Sequence, residues 1–477
     1  MTVSTYRPTC QILLVKAVDR EDGVARRYAK AARLVDLTPY LGSGGSVTIT
    51  KSIDEPCGAF TVSFADKIRP DLADSVYAGV EAMDVIEIRA AREPHLYASQ
   101  KLPLIMRGFV SRVERSEEAG NNGAPRRIVS ITGHDAGKLM QIHRIVSQLM
   151  TVLEQPYLET FQLQATTGMP TVTWPVSQFM SLLIENVVNP KVQALAAVGG
   201  SGIKPFTVDA QVSEGLVSNI RLASATGSLF DIATAFADRP WNEWFIEDSE
   251  TGPVVRFRPA PFRSAQDDSF VIDGATDPGT IDISDSDVVR LRLWHGDDRV
   301  ANFYWVPPGD SAPDTAWWAG NAALNDAYPL DLDYANSLQA LYGTREMRAF
   351  SRLLPPAVSV MPASQPADRR VSALNQFPPW HKKRATQLRD MNRDNAVFEE
   401  GRAVLKGSEA LKPGQYLRLT RGGVVASAYM TRVNHSLSPL QGWISTAILI
   451  RGTGFLTRNK MPGSPYLLEG MRGPYSR

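Results

Sequence analysis

His134 and Asp135 are adjacent near the end of a strand-like run, and a histidine beside a carboxylate is a pairing that general-base catalysis uses. Cys57, or one of the serines, would be the nucleophile that such a base activates. The sequence contains no Gly-x-Ser-x-Gly segment, the sharp turn that presents a catalytic serine in many hydrolases. We therefore interpret His134 and Asp135 as a polar turn that closes the strand.

Three carboxylates, Glu243, Glu247 and Asp248, follow one another closely and would suit the acid and the nucleophile of a glycosidase. They fall within an aromatic stretch that a Gly-Pro turn connects to an alternating apolar run, which is the pattern of a β-hairpin. We predict a surface hairpin in which Trp241 and Trp244 are buried.

One histidine and several aspartates offer ligands for a divalent cation, namely His295, Asp297, Asp298, Asp282, Asp285 and Asp287. Their spacing fits neither an EF-hand loop nor two histidines on one helix face, and Cys10 and Cys57 are too few for a zinc site or a disulfide framework. Acidic loops are usually solvated. We predict no metal-binding, cofactor-binding or catalytic residues.

The strongest positive run lies in the last quarter of the chain and consists of His381, Lys382, Lys383 and Arg384, followed by Arg389 and Arg393. Such a run could meet phosphates of a nucleic acid. Acidic residues interrupt it, so a helix whose charges meet solvent or a neighbouring subunit is the interpretation that we favour.

Composition excludes several classes of protein. The chain has 51 Lys and Arg against 50 Asp and Glu, so no global basic field indicates a nucleic-acid or membrane partner. No apolar run approaches the roughly 20 residues that span a bilayer, and no secretory leader is evident. The glycine-rich segments over 42–45 and 199–202 lack the Lys-Ser/Thr ending of a phosphate-binding loop and are interpreted as flexible loops.

The elements that must position these residues are mostly strands. Apolar residues alternate over much of 47–131, and helical spacing is found over 139–153, 177–188 and 229–236. At 477 residues the chain is long enough for about three domains. We predict an α+β protein that is dominated by antiparallel strands.

Segments from the two ends of the chain resemble one another in the same order. Phe109–Ser116 matches Tyr429–Ser436 with a constant separation of 320 residues. Three further matches are Ile128–Gly133 with Ala447–Gly452, Met83–Ile88 with Gly414–Leu419, and Gly58–Ser63 with Gly401–Lys406. Short antiparallel strands look alike in many β-proteins, and this is the alternative explanation. If the repeat is real, three chains around an axis would present six similar domains and could stack on a true hexamer.

The predicted organisation is a first tube-like β-barrel over 1–150, a mixed helical and hairpin domain over 151–265, a middle β and linker region over 266–379 with a helix over 338–350, a second tube-like β-barrel over 380–460, and a C-terminal tail over 461–477.

Several segments, in this order, resemble the baseplate or tail-tip hub proteins of tailed bacteriophages, which are similar to the base of type VI secretion spikes. They are Gly108–Val113, Ser130–Leu139, Pro240–Asp248, Arg256–Phe262, Val300–Val306, Tyr342–Met347 and Tyr429–Gly452. None is specific alone, and their collinearity over nearly the whole chain carries the resemblance.

The resemblance implies a non-enzymatic virion protein, assembled in the host cytoplasm, that forms a homotrimeric hub with two tube-like barrels per chain. Its implied partners are the hexameric tail tube or distal tail protein, the trimeric spike or tip protein, the tape measure protein and baseplate wedge proteins. DNA would only pass through the lumen, and the chain would not insert into a membrane. We expect the hairpins over 117–125 and 436–442 to make contacts, and we expect a non-basic lumen because lysines and arginines would retain passing DNA. Two alternatives are a tip-associated cell-wall hydrolase and a hexameric tail-tube or adaptor subunit.

Overall fold

The computed structural model describes most of the chain. The described residues are 6–19, 27–42, 44–65, 75–97, 101–119, 125–145, 159–161, 172–199, 202–219, 222, 225–306, 334–356, 376–421, 423–439 and 442–461. Within them the fold is β-dominated, as predicted, and a sheet of thirteen strands forms its largest part.

The strands are β1 (Thr9–Asp19), β2 (Arg27–Asp36), β3 (Ser46–Ser52), β4 (Ala59–Ala65), β5 (Val85–Ala91), β6 (Leu104–Ala119), β7 (Pro125–Asp135), β8 (Arg144–Ile145), β9 (Thr173–Pro175), β10 (Thr207–Ala210), β11 (Leu216–Ser218), β12 (Gly227–Ser228), β13 (Asn242–Asp248), β14 (Pro253–Pro259), β15 (Thr280–Ile283), β16 (Val288–Trp294), β17 (Phe303–Trp305), β18 (Glu346–Arg348), β19 (Glu399–Lys406), β20 (Gln415–Arg421), β21 (Val424–Ser438) and β22 (Gly442–Gly452). The α-helices are Val76–Gly79, Gly137–Ile142, Val176–Leu183, Asn189–Gly199, Leu229–Phe236, Gln339–Tyr342, Phe377–Asn392 and Gly454–Lys460, and a π-helical segment, Ile184–Val188, connects the third to the fourth.

The large sheet consists of two halves. The N-terminal half-sheet has the strand order β3-β4-β7-β6-β5-β1-β2, and the C-terminal half-sheet has the order β16-β19-β22-β21-β20-β15. The two halves join where β21 pairs antiparallel with β3, with Val433 opposite Lys51 and Leu437 opposite Val47. Strands that are far apart in the sequence therefore form one continuous sheet.

The predicted repeat is present in the hydrogen bonding of the two halves. The β6–β7 hairpin has a bulge between Val110 and Arg112, and the β21–β22 hairpin has one between Met430 and Arg432. These positions are 320 residues apart, as the sequence match predicts. Because a bulge bends its strand and increases the local twist, both long strands bend at the same point.

A second shared feature precedes each hairpin. Met83 (φ 73°) and Gly414 (φ 83°) both adopt left-handed backbone conformations. Their N–H groups donate to the carbonyl oxygens of Val110 (2.9 Å) and Met430 (2.7 Å), which are equivalent residues. A left-handed conformation costs a residue with a Cβ roughly 1–2 kcal/mol. Met83 keeps this left-handed conformation in spite of the cost, which indicates that the turn requires the conformation. The match of Met83–Ile88 with Gly414–Leu419 is confirmed.

The register of the third match is wrong by three residues. Val113 pairs with Ile131 in the first hairpin, and the equivalent Val433 pairs with Ala447 in the second. Ala447 is therefore the counterpart of Ile131 and not of Ile128. A shift by an odd number of residues exchanges the two faces of a strand, so the predicted match assigned its side chains to the wrong sides of the sheet.

The fourth match, of β4 with β19, is displaced by two residues. Phe60 pairs with Gly133, and Gly401 pairs with Leu449, which makes Phe60 the counterpart of Gly401. An even shift keeps each side chain on its predicted face. The strand order is nevertheless the same in both halves, because β4 and β19 each lie beside the last strand of their hairpin.

The two predicted tube-like β-barrels are not confirmed, because the described strands of both halves form one large sheet and not two closed barrels. β2 and β16 lie at the two ends of the strand path, and each pairs with one described neighbour only, β1 and β19 respectively. The second half is also not confined to 380–460, because β15 and β16 come from the region predicted as the middle domain. Strand pairing between distant segments has no local sequence signal, so these pairings could not be predicted from the sequence.

The middle of the chain packs its helices and a three-stranded sheet, β10-β14-β13, against the N-terminal half-sheet. The helix predicted over 229–236 begins with a capping box, in which Ser228 and Asp231 each accept a hydrogen bond from the other's backbone. The helix predicted over 177–188 is present and continues to Gly199 through a π-helical segment.

Two predicted helices are shorter than expected. The helix predicted over 139–153 ends at Ile142, because His143 is extended and β8 follows; residues 146–153 lie outside the described part. The helix predicted over 338–350 is a single turn, Gln339–Tyr342. It ends at Gly343, whose φ of 69° is left-handed, and the next residues form β18.

Candidate assembly surface

His134 and Asp135 make separate hydrogen bonds in the structure. Asp135 accepts hydrogen bonds from Lys51 Nζ (2.8 Å) and from the N–H groups of Gly58 (2.7 Å) and Gly137 (2.9 Å). His134 instead places Nδ1 3.0 Å from the hydroxyl of a serine on β6. Asp135 therefore closes the strand and begins the next helix, as the polar-turn interpretation predicted.

Cys57 lies in surroundings that suppress thiolate formation. Burial, together with the negative charge of Asp135, raises the pKa of the Cys57 thiol to about 12. The sulfur is 3.5 Å from Gln141 Oε1, an amide oxygen that cannot act as a general base. A nucleophilic cysteine needs a lowered pKa, so this arrangement does not support the thiol as a nucleophile.

The Glu243 carboxylate connects the β13–β14 hairpin to the C-terminal half-sheet. It accepts a hydrogen bond from the Tyr429 hydroxyl (2.6 Å) and lies 3.3 Å from the Arg258 guanidinium. Arg258 also donates to the Gly414 carbonyl at the left-handed turn. Burial raises the pKa of Glu243, and burial also raises the pKa of Tyr429 well above its ordinary value. Glu243, Arg258 and Tyr429 thus form a buried polar cluster that holds the hairpin on the C-terminal half-sheet.

The other two carboxylates of β13 bind different cations. Glu247 accepts from Lys412 Nζ (2.7 Å) and Arg256 Nε (2.9 Å), whereas Asp248 forms an ion pair with Lys51 of β3. A glycosidase needs two carboxyl groups that face one substrate. These three carboxylates instead connect β13 to both half-sheets. The prediction of a surface hairpin was wrong, since six of the seven residues of β13 are buried, although Trp241 and Trp244 are buried as predicted.

The aspartates considered as metal ligands pair with arginines: Asp282 with Arg418 (3.1 Å), Asp287 with Arg92 (2.7 Å) and Asp297 with Arg345 (2.7 Å). The His295 ring packs against the Phe455 ring, with centroids 4.2 Å apart. Among the described residues, no group of three or more His, Cys, Asp or Glu side chains is arranged to hold a metal ion.

The basic run lies on the helix Phe377–Asn392, as predicted, and Lys382 is exposed. His381 and Arg384 are buried, so the prediction that the charges meet solvent or a neighbour is wrong for these two residues. Arg384 is buried, 2.9 Å from Asp238, and its guanidinium lies between the rings of Trp241 and Trp380. Lys383 pairs with Glu214 at 2.7 Å. Cations that are already paired within the chain do not form a phosphate-binding stripe.

Exposed apolar side chains lie on β2 and β16, two of the three described strands that end the sheet, the third being β15. Val289 and Trp294 on β16 are 59% and 46% exposed, and Leu34 on β2 is 62% exposed. An edge strand presents unpaired backbone N–H and C=O groups and is a template for another chain. We define the assembly surface as the outer edges of β2 and β16 together with the two predicted contact hairpins. Residues 120–124 and 440–441 of these hairpins lie outside the described part. Sequence reasoning missed β16, although its alternation of apolar residues with arginines was an available signal.

A buried histidine supports the β21–β22 hairpin where it meets the N-terminal half-sheet. His435 Nδ1 accepts a hydrogen bond from Trp443 Nε1 (3.2 Å) and lies 2.8 Å from the Ser445 hydroxyl. An indole N–H can only donate, so Nδ1 must be unprotonated. Burial lowers the pKa of His435 to about 4, against the effect of a hydrogen bond with the Leu411 backbone.

We expect His435 to make the fold sensitive to acid. The unfolded chain binds this proton near pH 6.5 and the folded chain only near pH 4, so stability decreases as the pH falls through this window and the loss levels off below it. The lost free energy of unfolding is about 3 kcal/mol. Urea unfolding between pH 7.5 and 4 should show a shallower slope for His435→Asn than for the wild type. The matched variant His95→Asn, at a histidine that is 73% exposed, should keep the wild-type slope. Equal slopes for wild type and His435→Asn would contradict this prediction.

None of the helices in the described part of the chain is both long enough and apolar enough to cross a membrane. No protein-family model matches the sequence, and no curated protein sequence is significantly similar to it.

Solved structures of tail and secretion proteins are similar to this chain. The tail protein of Neisseria meningitidis MC58 is 11% identical over 94% of this chain and 98% of its own, with a TM-score of 0.47. The 43 kDa tail protein of prophage MuSo2 from Shewanella oneidensis is 10% identical over 93% of this chain and 98% of its own, with a TM-score of 0.45. A type VI secretion component of E. coli is 8% identical over 85% of this chain and 73% of its own, with a TM-score of 0.37.

Proposed function

We propose that this chain is a structural hub of a phage tail baseplate, a homotrimer with pseudo-sixfold symmetry that joins a hexameric tail tube to a trimeric spike or tip. The observation that carries the proposal is the duplication. Two half-sheets of one chain share strand order, the position of a bulge, and a left-handed turn with the same hydrogen bond.

A duplicated chain suits a position between two symmetries. Three copies contain six similar half-sheets, which could present six similar surfaces to a hexameric ring, while the differences between the halves keep the threefold symmetry needed by a spike. The β21·β3 pairing supports the proposal because it already joins two such half-sheets edge to edge.

The role that we propose is non-enzymatic. The side chains with catalytic potential, Asp135, Glu243, Glu247 and Asp248, form ion pairs that hold the fold together. The hub would lie in the virion and enclose the channel for DNA. The tape measure and baseplate wedge proteins are further proposed partners, and a non-basic lumen remains a prediction.

The mass and symmetry of the purified full chain test this proposal. We expect a particle of three times the chain mass of 52.4 kDa. In electron microscopy, the averaged images of this particle should show six lobes and threefold symmetry. A stable monomer, or a hexamer with six identical lobes, would overturn the proposal. A peptidoglycan-degradation assay on the same sample should show no activity, and turnover there would favour a cell-wall hydrolase.

A further inference from the structure

One edge of β21 pairs with two different strands in succession. Along this edge, the first part of β21 pairs with β20, with Tyr429 opposite Tyr416. Beyond the bulge, the same edge pairs with β3, with Arg432 opposite Ser52. The opposite edge pairs with β22 throughout, since Tyr429 and Arg432 are also opposite residues of that strand.

The equivalent edge of β6 is occupied only at its beginning. The first part of β6 pairs with β5, with Phe109 opposite Val85, which repeats the β21·β20 contact. The residues over 112–118 are the counterparts of 432–438 and pair with β7 on one side. On the other side, where β21 holds β3, no described strand pairs with β6.

β16 is the counterpart of β3 in the C-terminal half-sheet. β3 lies beside β4 with Ile49 opposite Phe60, and β16 lies beside β19 with Leu293 opposite Gly401. Phe60 and Gly401 are equivalent residues, so Leu293 corresponds to Ile49. The outer edge of β3 is paired with β21, whereas the outer edge of β16 pairs with no described strand.

We propose that the outer edge of β6 over 112–118 pairs antiparallel with β16 of a second copy of this chain, and so repeats the β21·β3 contact between subunits. The register follows from the equivalences: Ser116 lies opposite Arg292, Glu117 opposite Leu291, and Arg115 opposite Leu293. This inference rests on the proposed function, because it supplies the contact by which three chains would close into a ring.

Charge complementarity supports this occupant. In the proposed register, Glu118 lies opposite Arg290, and Arg292 lies diagonally between Glu114 and Glu118 on the same face. All four side chains are exposed in the single chain. Opposite charges at such positions stabilise an antiparallel pair. Pairing of β16 with another β16 would instead place arginines near arginines, which favours a head-to-tail contact.

Engineered cysteines test the register. Ser116→Cys and Arg292→Cys are opposite residues in the proposal, and opposite Cα atoms of antiparallel strands are about 4.5–5.5 Å apart, within the range of a disulfide. After mixing chains that carry one substitution each, oxidation with copper phenanthroline should give a covalent dimer. A chain that carries both substitutions should give covalent trimers as its largest product.

Matched controls define the other outcomes. The pair Thr48→Cys and Ser436→Cys is the intrachain counterpart, because Thr48 lies opposite Ser436 in the structure, and it should form a disulfide within one chain. The wild-type chain, with Cys10 and Cys57, gives the background. A trimer by mass in which Ser116→Cys does not cross-link to Arg292→Cys would overturn the inference and leave the proposed function standing. Cross-linking of Ser116→Cys to Leu34→Cys on β2 would overturn the inference as well. A particle that is not a trimer would overturn both.

A charge exchange provides a second test without cysteines. Arg290→Glu should raise the concentration at which the trimer dissociates by about tenfold, because it places a glutamate opposite Glu118. Adding Glu118→Arg should reverse most of that loss. An unchanged trimer in Arg290→Glu would contradict the proposed register.

Discussion

Replacing Trp443 with alanine is expected to lower the free energy of unfolding by about 3–5 kcal/mol. Trp443 belongs to β22, yet it is fully buried in the core of the N-terminal half-sheet, in the same cluster as Ile49 and Val62. Gly407 packs so closely on the indole that an added Cβ would lie 2.1 Å from the ring. The surrounding residues are fixed in strands, so a cavity of this size cannot collapse.

Urea unfolding of the purified chain at neutral pH measures this loss. Val425→Ala is a suitable control, because Val425 lies in the same hairpin and is 48% exposed. That variant should change stability by less than about 1 kcal/mol. If Trp443→Ala were as mild as Val425→Ala, the hairpin would not be part of the N-terminal core.

Asp238→Asn is expected to cost about 3–5 kcal/mol, since it removes the carboxylate that pairs directly with the buried Arg384. The pair is 2.9 Å apart, and both side chains are almost inaccessible. Burial lowers the pKa of Arg384, which indicates how unfavourable its charge would be without Asp238. Asparagine keeps the shape of the side chain and tolerates the left-handed backbone at this position, where φ is 59°.

Asp268→Asn is a closely matched control. Asp268 has nearly the same backbone conformation (φ 61°) and pairs with Arg263 at 3.0 Å, but its side chain is 71% exposed. An exposed pair contributes roughly 0–1 kcal/mol, so this variant should remain close to the wild type in thermal and urea unfolding. Equal losses in the two variants would mean that the effect comes from the turn and not from the buried charge.

The repeat could be predicted from the sequence where turn and strand chemistry is local. The constant separation between Phe109–Ser116 and Tyr429–Ser436 was correct, because no residue is inserted within these segments. The register of β7 was not predictable in the same way. The β6–β7 hairpin closes with Ala119 opposite Pro125, whereas the β21–β22 hairpin closes with Ser438 opposite Gly442. The loop of the first hairpin is therefore two residues longer than the loop of the second. The sequence match instead aligned Gly133 of β7 with Gly452 of β22, which gave the wrong register.

The candidate surface was predictable only in part. The two hairpins could be predicted because their turn residues are a local signal. An edge strand has no such signal, because its position depends on how all the other strands pair. β16 depends on β19, which lies more than one hundred residues later, and a local pattern cannot reveal such a partner. The same limit explains why the carboxylates of β13 resembled an active site. Their cations, Lys51 and Lys412 among them, come from distant parts of the chain.

The N-terminal half-sheet obtains part of its core from a segment that is synthesised much later. The Tyr6 hydroxyl donates to the carbonyl of Trp443, 437 residues away, and this tryptophan fills the same core. Ribosomes add roughly 5–20 residues per second, so roughly 20–90 s pass between the two residues. During this time β3 has no partner for its outer edge, and the nascent chain exposes a surface that neighbouring polypeptides on a polysome can bind. The core of this half-sheet is therefore completed only after the β21–β22 hairpin has been synthesised.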